Sequence, residues 1–327
     1  MRRAIAVLVI LLSLFFTRQA ESQEKIRVGY SSINIHAILV WIAEKRGLYG
    51  KYGLTPLQVF ISGGSINVQA LLSGSVDLAQ LTGPPGVAAN LEGADILYIA
   101  GTDDKMAYQL VTRAGIKNAA DLRGAKLGIS RFGSSADFGV RLLVKKLGLD
   151  PARDVAILQV GSELARAGAL KAGKIDGTVM NAPYGTEAMK QNFNVIADAG
   201  KMGIVYFNTG ICGSRKFLDQ QEGKTLNFMR AYLESIKIFK TERDYTLKAL
   251  SQFTKVSDVK SLEEGYDYYR DRIPSIPYPS LEAMQAVVSQ MGEENAKARR
   301  ADAKTYISDR FLKRLEEEGF VKKLWAQ

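Results

Sequence analysis

ALLSGSVDLAQLTGPP, residues 70–85, and ALKAGKIDGTVMNAPY, residues 169–184, follow one pattern: Ala-Leu, then Gly, then Val or Ile with Asp, then Pro seven residues after the Asp. Every matched position is offset by 99 residues. In each copy the apolar spacing over residues 68–73 or 164–172 predicts a helix. The glycine that follows, Gly74 or Gly173, stands where a helix end needs left-handed backbone. Val76 or Ile175 then leads through Asp77 or Asp176 into a short apolar run that reads as a buried strand. That strand runs into a loop carrying Pro84 or Pro183. A helix, turn, strand and loop unit that occurs twice predicts two lobes built alike. Ligands of open α/β sheets bind outside the carboxyl ends of the strands, so both proline loops are expected at the lips of one cleft.

The same alternation extends to both sides. Short apolar, β-branched runs at 26–30, 57–61, 78–82, 96–101, 108–112, 126–130, 155–160, 177–181, 195–197 and 204–209 read as strands. Between them apolar residues recur at spacings of three and four, as in Ile35, Ile38, Leu39 and Ile42, or Val140, Leu143, Val144 and Leu147. This alternation predicts an α/β fold, with mostly parallel sheets flanked by helices. After Arg215 the spacing turns helical over 222–253, 262–272, 281–291 and 301–324, interrupted by the proline-rich IPSIPYPS at 273–280.

The chain opens with Met1-Arg2-Arg3, an apolar run over 4–16, and Ala20-Glu21-Ser22. A run of this length suits a secretory signal peptide better than a membrane span, so cleavage before Gln23 and export are expected. No cysteine lies near that site to carry a lipid anchor. The whole chain has a net charge of +10; without residues 1–22, which hold Arg2, Arg3, Arg18 and Glu21, about +8 remains. The lysines and arginines are scattered, with no stripe interleaved with aromatics, which argues against nucleic acid as a partner. Cys212 is the only cysteine, so no disulfide forms within the chain. About 300 residues after cleavage exceed what one core usually carries, which again favours two lobes.

Five stretches in this order, IRVGYSSINIHAILVWIAEKRGLYGKYGL, SGGSINVQALLSGSVDLAQLTGPP, ADLRGAKLGISRFGSSADF, ALKAGKIDGTVMNAPYGTEA and FLKRLEEEGFVKKL, resemble substrate-binding proteins of sulfonate/nitrate/taurine-type ABC importers. The same family includes relatives that bind thiamine-precursor pyrimidines. The resemblance covers essentially all of the chain after residue 22. It implies a two-lobed type II periplasmic-binding-protein fold, two hinge crossings, a small-molecule ligand clamped between the lobes, a membrane permease as partner, a monomeric receptor and no cofactor. The extended run at 108–113 is expected as the outgoing crossing and 204–213 as the return. Lobe 1 would then comprise residues 23–111 and 206–327, and lobe 2 residues 112–205.

Within that frame, helix starts and glycine-rich loops are the candidate ligand contacts. Ser32 and Asn34 precede the first helix and serve either as caps or as ligand contacts. His36, the only histidine, is open to the same two readings. Gly63, Gly64 and Ser65 let backbone come close to a solute, and Thr82 with Gly83 brings a hydroxyl to a strand end. In the second lobe Ser130-Arg131-Phe132-Gly133-Ser134-Ser135 resembles an anion cradle, with Arg131 as counter-charge. Asn181 and Tyr184 flank Pro183 and can cover the ligand, and Asn208 lies on the return crossing. Family members often place an aromatic where this chain has Asn181, which shifts the expected pocket toward hydrogen bonding. A sulfonate, nitrate-like anion, pyrimidine or aromatic acid remains open as ligand, and a sensor remains open beside a transporter.

Enzyme chemistry on this fold finds little support. One histidine and one cysteine lie far apart in sequence with no local signature. The cysteine-rich iron-binding segment of the family's pyrimidine synthase is absent. GALKAGKI, residues 168–175, fails as a phosphate-binding loop because Ile175 replaces Ser or Thr and the segment reads as the end of a helix.

Overall fold

The computed structural model describes residues 23–326; the expected signal peptide, residues 1–22, lies outside the described residues. Two five-stranded sheets carry the fold. The first is built from β1 (Glu24–Tyr30), β2 (Leu54–Phe60), β3 (Leu78–Leu81), β4 (Ile96–Lys105) and β10 (Val205–Ser214), in the order β2-β1-β3-β10-β4. The second is built from β5 (Gln109–Thr112), β6 (Lys126–Ile129), β7 (Ala156–Gln159), β8 (Gly177–Met180) and β9 (Asn194–Asp198), in the order β7-β6-β8-β5-β9. The expected strands are thus all present, each within a few residues of its expected bounds.

The helices flank both sheets. Before β10 they are α1 (Ile38–Lys45), α2 (Leu48–Lys51), α3 (Gly64–Leu72), α4 (Gly83–Leu91), α5 (Ser135–Lys146), α6 (Glu163–Lys171) and α7 (Tyr184–Lys190). After β10 follow α8 (Arg215–Gln220), α9 (Glu222–Thr241), α10 (Arg243–Thr254), α11 (Val259–Arg270), α12 (Leu281–Gly292), α13 (Ala296–Arg299), α14 (Arg310–Glu317) and α15 (Phe320–Trp325). Phe228, Met229, Tyr232, Ile236 and Phe239 form the buried stripe of α9, which packs on α1 beside the first sheet.

The 99-residue offset runs through the structure. α3 and α6 match residue for residue at that offset, as do β3 and β8. The neighbours agree too: β1 lies between β2 and β3, and β6 between β7 and β8, all parallel. Gly74 and Gly173 both have positive φ, +73° and +66°, as a left-handed helix end requires.

The repeated aspartate has a structural task in each lobe. Asp77 accepts a hydrogen bond from the backbone N–H of Arg27 at 2.8 Å and donates its own N–H to the Arg27 carbonyl at 2.8 Å. Asp176 does the same with Lys126, at 2.8 and 2.7 Å. Each aspartate therefore clasps the neighbouring parallel strand, Asp77 midway along β1 and Asp176 at the start of β6. An arginine completes each clasp: Arg27 Nη2 lies 2.5 Å from Asp77, and Arg113 Nε lies 2.6 Å from Asp176.

Each sheet is parallel except for one strand. β10 runs antiparallel to β3 and β4, and β5 antiparallel to β8 and β9. The reversed strand is in each case the one that has just arrived from the other sheet. The two crossings lie side by side, joined by Met106 N–H to the Ile204 carbonyl and Ala199 N–H to the Tyr108 carbonyl, both at 2.9 Å.

Two long helical expectations break up. The 222–253 segment divides at Glu242, whose φ of −109° and ψ of 72° end α9 before α10 starts. The 301–324 segment begins as a short 3-10 turn, Ala303–Tyr306, and then turns extended so that Ser308 N–H reaches the Tyr98 carbonyl at 2.9 Å. Gly319, at φ +73°, separates α14 from α15.

Candidate functional site

The segments that follow β1, β2 and β3 in one lobe and β6 and β7 in the other meet at a shared cavity lined mostly by polar residues. Its space is about 30 Å³, enough for one or two waters. Ser31, Asn34 and His36 enter it from the loop after β1, Gly63 and Gly64 from the start of α3, and Thr82 from the start of α4. The second lobe brings Ser130, Ser135, Ser162, Glu163 and Arg166, and Tyr108 comes from the crossing. Larger hollows of about 240 and 250 Å³ flank the lobe interface, one between α5 and α12, the other between α6, α7 and the turn after α10. Neither joins the helix starts of both lobes, so the small central cavity is the candidate site.

The lobes are closed on one another. Asn34 Nδ2 donates to Glu163 Oε2 at 3.2 Å, and Ser65 Oγ donates to the Phe132 carbonyl at 3.1 Å. Gly63 has φ +98°, and a Cβ there would fall 2.9 Å from Cγ of Arg131, so only glycine allows this approach of the two lobes. Asn34 makes no side-chain cap in the 3-10 turn Ile35–Ala37; its amide points across the cleft instead.

Electrostatics inside the cavity are balanced within the second lobe. Burial raises the Glu163 carboxyl above its ordinary range, while Arg166 and the Asn181 backbone N–H pull the other way. Arg166 is itself buried and donates to Thr178 Oγ1 at 2.9 Å, to the Gly161 carbonyl at 2.9 Å and to the Val179 carbonyl at 3.1 Å. His36 is held neutral: burial, helped by Arg272, lowers its pKa to about 3, and Nδ1 sits 3.2 Å from the Tyr269 hydroxyl.

A model of the NMT1-like family matches residues 19–202, more than half of the sequence. The chain belongs to the NMT1-like family. Among curated relatives, a putative binding protein of Brucella abortus is 34% identical over 127 residues, a match spanning 38% of this chain and 38% of that protein. A putative aliphatic sulfonates-binding protein of Escherichia coli K12 is 24% identical over 250 residues, covering 73% of this chain and 75% of the relative. The solved alkanesulfonate-binding protein of Xanthomonas axonopodis pv. citri superimposes with a TM-score of 0.73 at 19% identity, over 87% of this chain and 98% of that one. This NMT1-like chain thus has the two-lobed type II periplasmic-binding-protein fold that the sequence motifs implied.

Of the residues singled out in the sequence, Ser32, Asn34, His36, Gly63, Gly64, Thr82 and Ser135 line the cavity. Others of the NMT1-like chain lie around it. Ser134 caps α5, accepting from Asp137 N–H and from Ser130 Oγ, so its hydroxyl is occupied locally. Arg131 turns back to the Ser130 carbonyl at 3.2 Å, Phe132 is half exposed, and Gly133, at φ +71°, shapes the turn before α5. Ser65 ties the lobes together, Gly83 begins α4, and Tyr184 donates to the Thr254 carbonyl at 2.8 Å on the flank of the interface. Asn181 braces Glu163 through its backbone N–H. Asn208 donates to Asp103 at 2.8 Å, within a buried cluster beside the crossings that Arg272 completes at 2.7 Å from Asp103.

Sequence reasoning missed Glu163, Arg166 and Tyr108. The repeat held the signal for the first: 99 residues after Gly64, the first residue of α3, stands Glu163, the first residue of α6. Cys212 lies in the core of β10, where burial pushes its thiol well up, so it is no ready nucleophile.

Proposed function

We propose that this protein is an exported solute-binding receptor that closes its two lobes over a small polar or anionic organic solute of the sulfonate/nitrate/taurine class and delivers it to the permease of an ABC importer. The observation that carries this reading is the cavity at the strand ends of both sheets, reached by helix starts and hydroxyls from both lobes and bridged by Asn34 and Glu163. Its small volume belongs to a closed form, so an organic solute enters only when the lobes part. The two adjacent crossings are the hinge, with lobe 1 as residues 23–111 and 206–327 and lobe 2 as residues 112–205. Residues 1–22 direct export to the periplasm and are removed there, and the receptor works as a monomer. The membrane partner recognises the closed form, which a solute favours only through contacts that the open form lacks.

The test is a thermal-shift screen of the protein purified after export against sulfonates, nitrate, carboxylates and pyrimidines, with X-ray scattering for compaction. A solute at about 100 times its dissociation constant stabilises by about 2.7 kcal/mol. Stabilisation together with compaction by one class supports the receptor; neither effect with any solute overturns it.

A further inference from the structure

We propose that Glu163 is the specificity-determining residue of the cleft, and that the solute carries an N–H donor, charged or neutral, at the end that meets the second lobe. This inference rests on the receptor reading and narrows it: anions without such a donor, nitrate and simple alkanesulfonates among them, are refused.

The argument starts from the broken symmetry of the repeat. Helices α3 and α6 occupy the same place in their lobes, and both open toward the cavity. In the first lobe the helix start is Gly63-Gly64, which offers backbone amides and no side chain. In the second it is Ser162-Glu163, whose carboxylate occupies the matching position. One wall therefore presents donors, and the wall opposite presents an acceptor. A solute that bridges them needs an acceptor at one end and a donor at the other.

The surroundings of Glu163 define what it lacks. One oxygen is fixed by the Asn181 backbone N–H. The other receives Asn34 Nδ2, a neutral donor, at 3.2 Å from across the cleft. Arg166, the cation on the same helix, directs its guanidinium to Thr178, Gly161 and Val179 rather than to this carboxylate. The oxygen that accepts from Asn34 thus has no charged donor, and the residue is only 6% exposed, so water does not supply one freely. Asn34 Nδ2 marks the place from which an N–H group of the solute would donate. An oxyanion set there instead would meet a like charge with its nearest cation already engaged.

The test uses matched solutes that differ only in the donor: 2-aminoethanesulfonate with ethanesulfonate, β-alanine with propionate, and 4-aminopyrimidine with pyrimidine, each titrated calorimetrically into the wild-type protein and Glu163→Gln. A hydrogen bond to a charged group corresponds to about 10- to 100-fold in affinity, and that preference for the amino member is expected in the wild type. The sulfonate, carboxylate and pyrimidine arms identify the acceptor end. Glu163→Gln is expected to bring the two members of a pair to within about threefold. Equal binding of both members, tighter binding of the donor-free member, or an unchanged preference in Glu163→Gln overturns the inference while the receptor reading stands. Failure of every solute to bind removes the receptor reading and this inference with it. Should Glu163→Gln not fold, as judged by circular dichroism, the wild-type pairs decide alone.

Discussion

Replacing Asp77 or Asp176 by alanine tests why the repeat retains an aspartate. In each lobe the carboxylate holds one backbone N–H of the adjacent strand, from Arg27 or Lys126, and one arginine. The arginines are about half exposed, Arg27 at 43% and Arg113 at 52%, so each ion pair contributes at most about 1 kcal/mol. The bond from backbone N–H to a carboxylate is charge-assisted, and its loss costs about 1.5–3 kcal/mol. Each alanine variant is therefore expected to destabilise its own lobe by about 2–3 kcal/mol, and asparagine, which keeps an acceptor, by about half of that. The clasps belong to different sheets and share no partner, so the double variant should show additive losses. Native-state hydrogen exchange resolved by peptide reads the lobes separately. A loss of about 2 kcal/mol raises exchange about 30-fold in the affected sheet. An alanine variant that changes exchange less than twofold, or that weakens the opposite lobe equally, would refute the structural account of the repeat.

Three further outcomes are expected. His36 has a folded pKa near 3 against an ordinary value of 6.5. Its contribution is therefore fully present above pH 6.5 and is lost as pH falls from 6.5 toward 3, on the order of a few kcal/mol, and a denaturant series in which His36→Gln leaves the pH slope unchanged counts against it. Gly63→Ala meets both a positive φ and the Arg131 side chain, so scattering should report a more open molecule; adding Arg131→Ala should relieve the clash and only part of the defect, and full recovery would mean that the backbone conformation carries no cost. Asp103→Ala leaves Arg272 and Asn208 without their carboxylate, and chemical unfolding should show a loss of about 3–5 kcal/mol, whereas a loss below about 1 kcal/mol would show that the cluster is dispensable.

The sequence made the strands legible because short β-branched runs between turn residues have few other readings, and β3 and β8 came with their helix-ending glycines. It could not reveal that β5 and β10 run backwards, since apolar alternation is the same in either direction. The helical tail was read as too continuous because apolar spacing persists across Glu242 and Gly319, where the backbone alone decides the break. In the site, glycines and hydroxyls at helix starts were visible from local chemistry. Glu163 was not: an acidic residue in a first helical turn is usually a solvated partner of the helix dipole, whereas here it is buried against Asn181 of its own lobe and Asn34 of the other. Ser134 drew notice for its hydroxyl, yet the cavity is reached by its neighbour Ser135, which accepts from Tyr108 at 3.1 Å.

The strand order of the first sheet also sets a timetable. β10 lies between β3 and β4, so that sheet stays incomplete until residue 214 has been made, although β1 to β4 are all present by residue 105. The second sheet draws every strand from the continuous stretch 109–198 and can close while β10 is still to come. A chain emerging amino end first would thus finish its inserted half before its outer half, and would meanwhile carry β3 and β4 with open edges. The interval in which this protein is most exposed to aggregation is the emergence of residues 106–214, and a holding chaperone would have the greatest effect there.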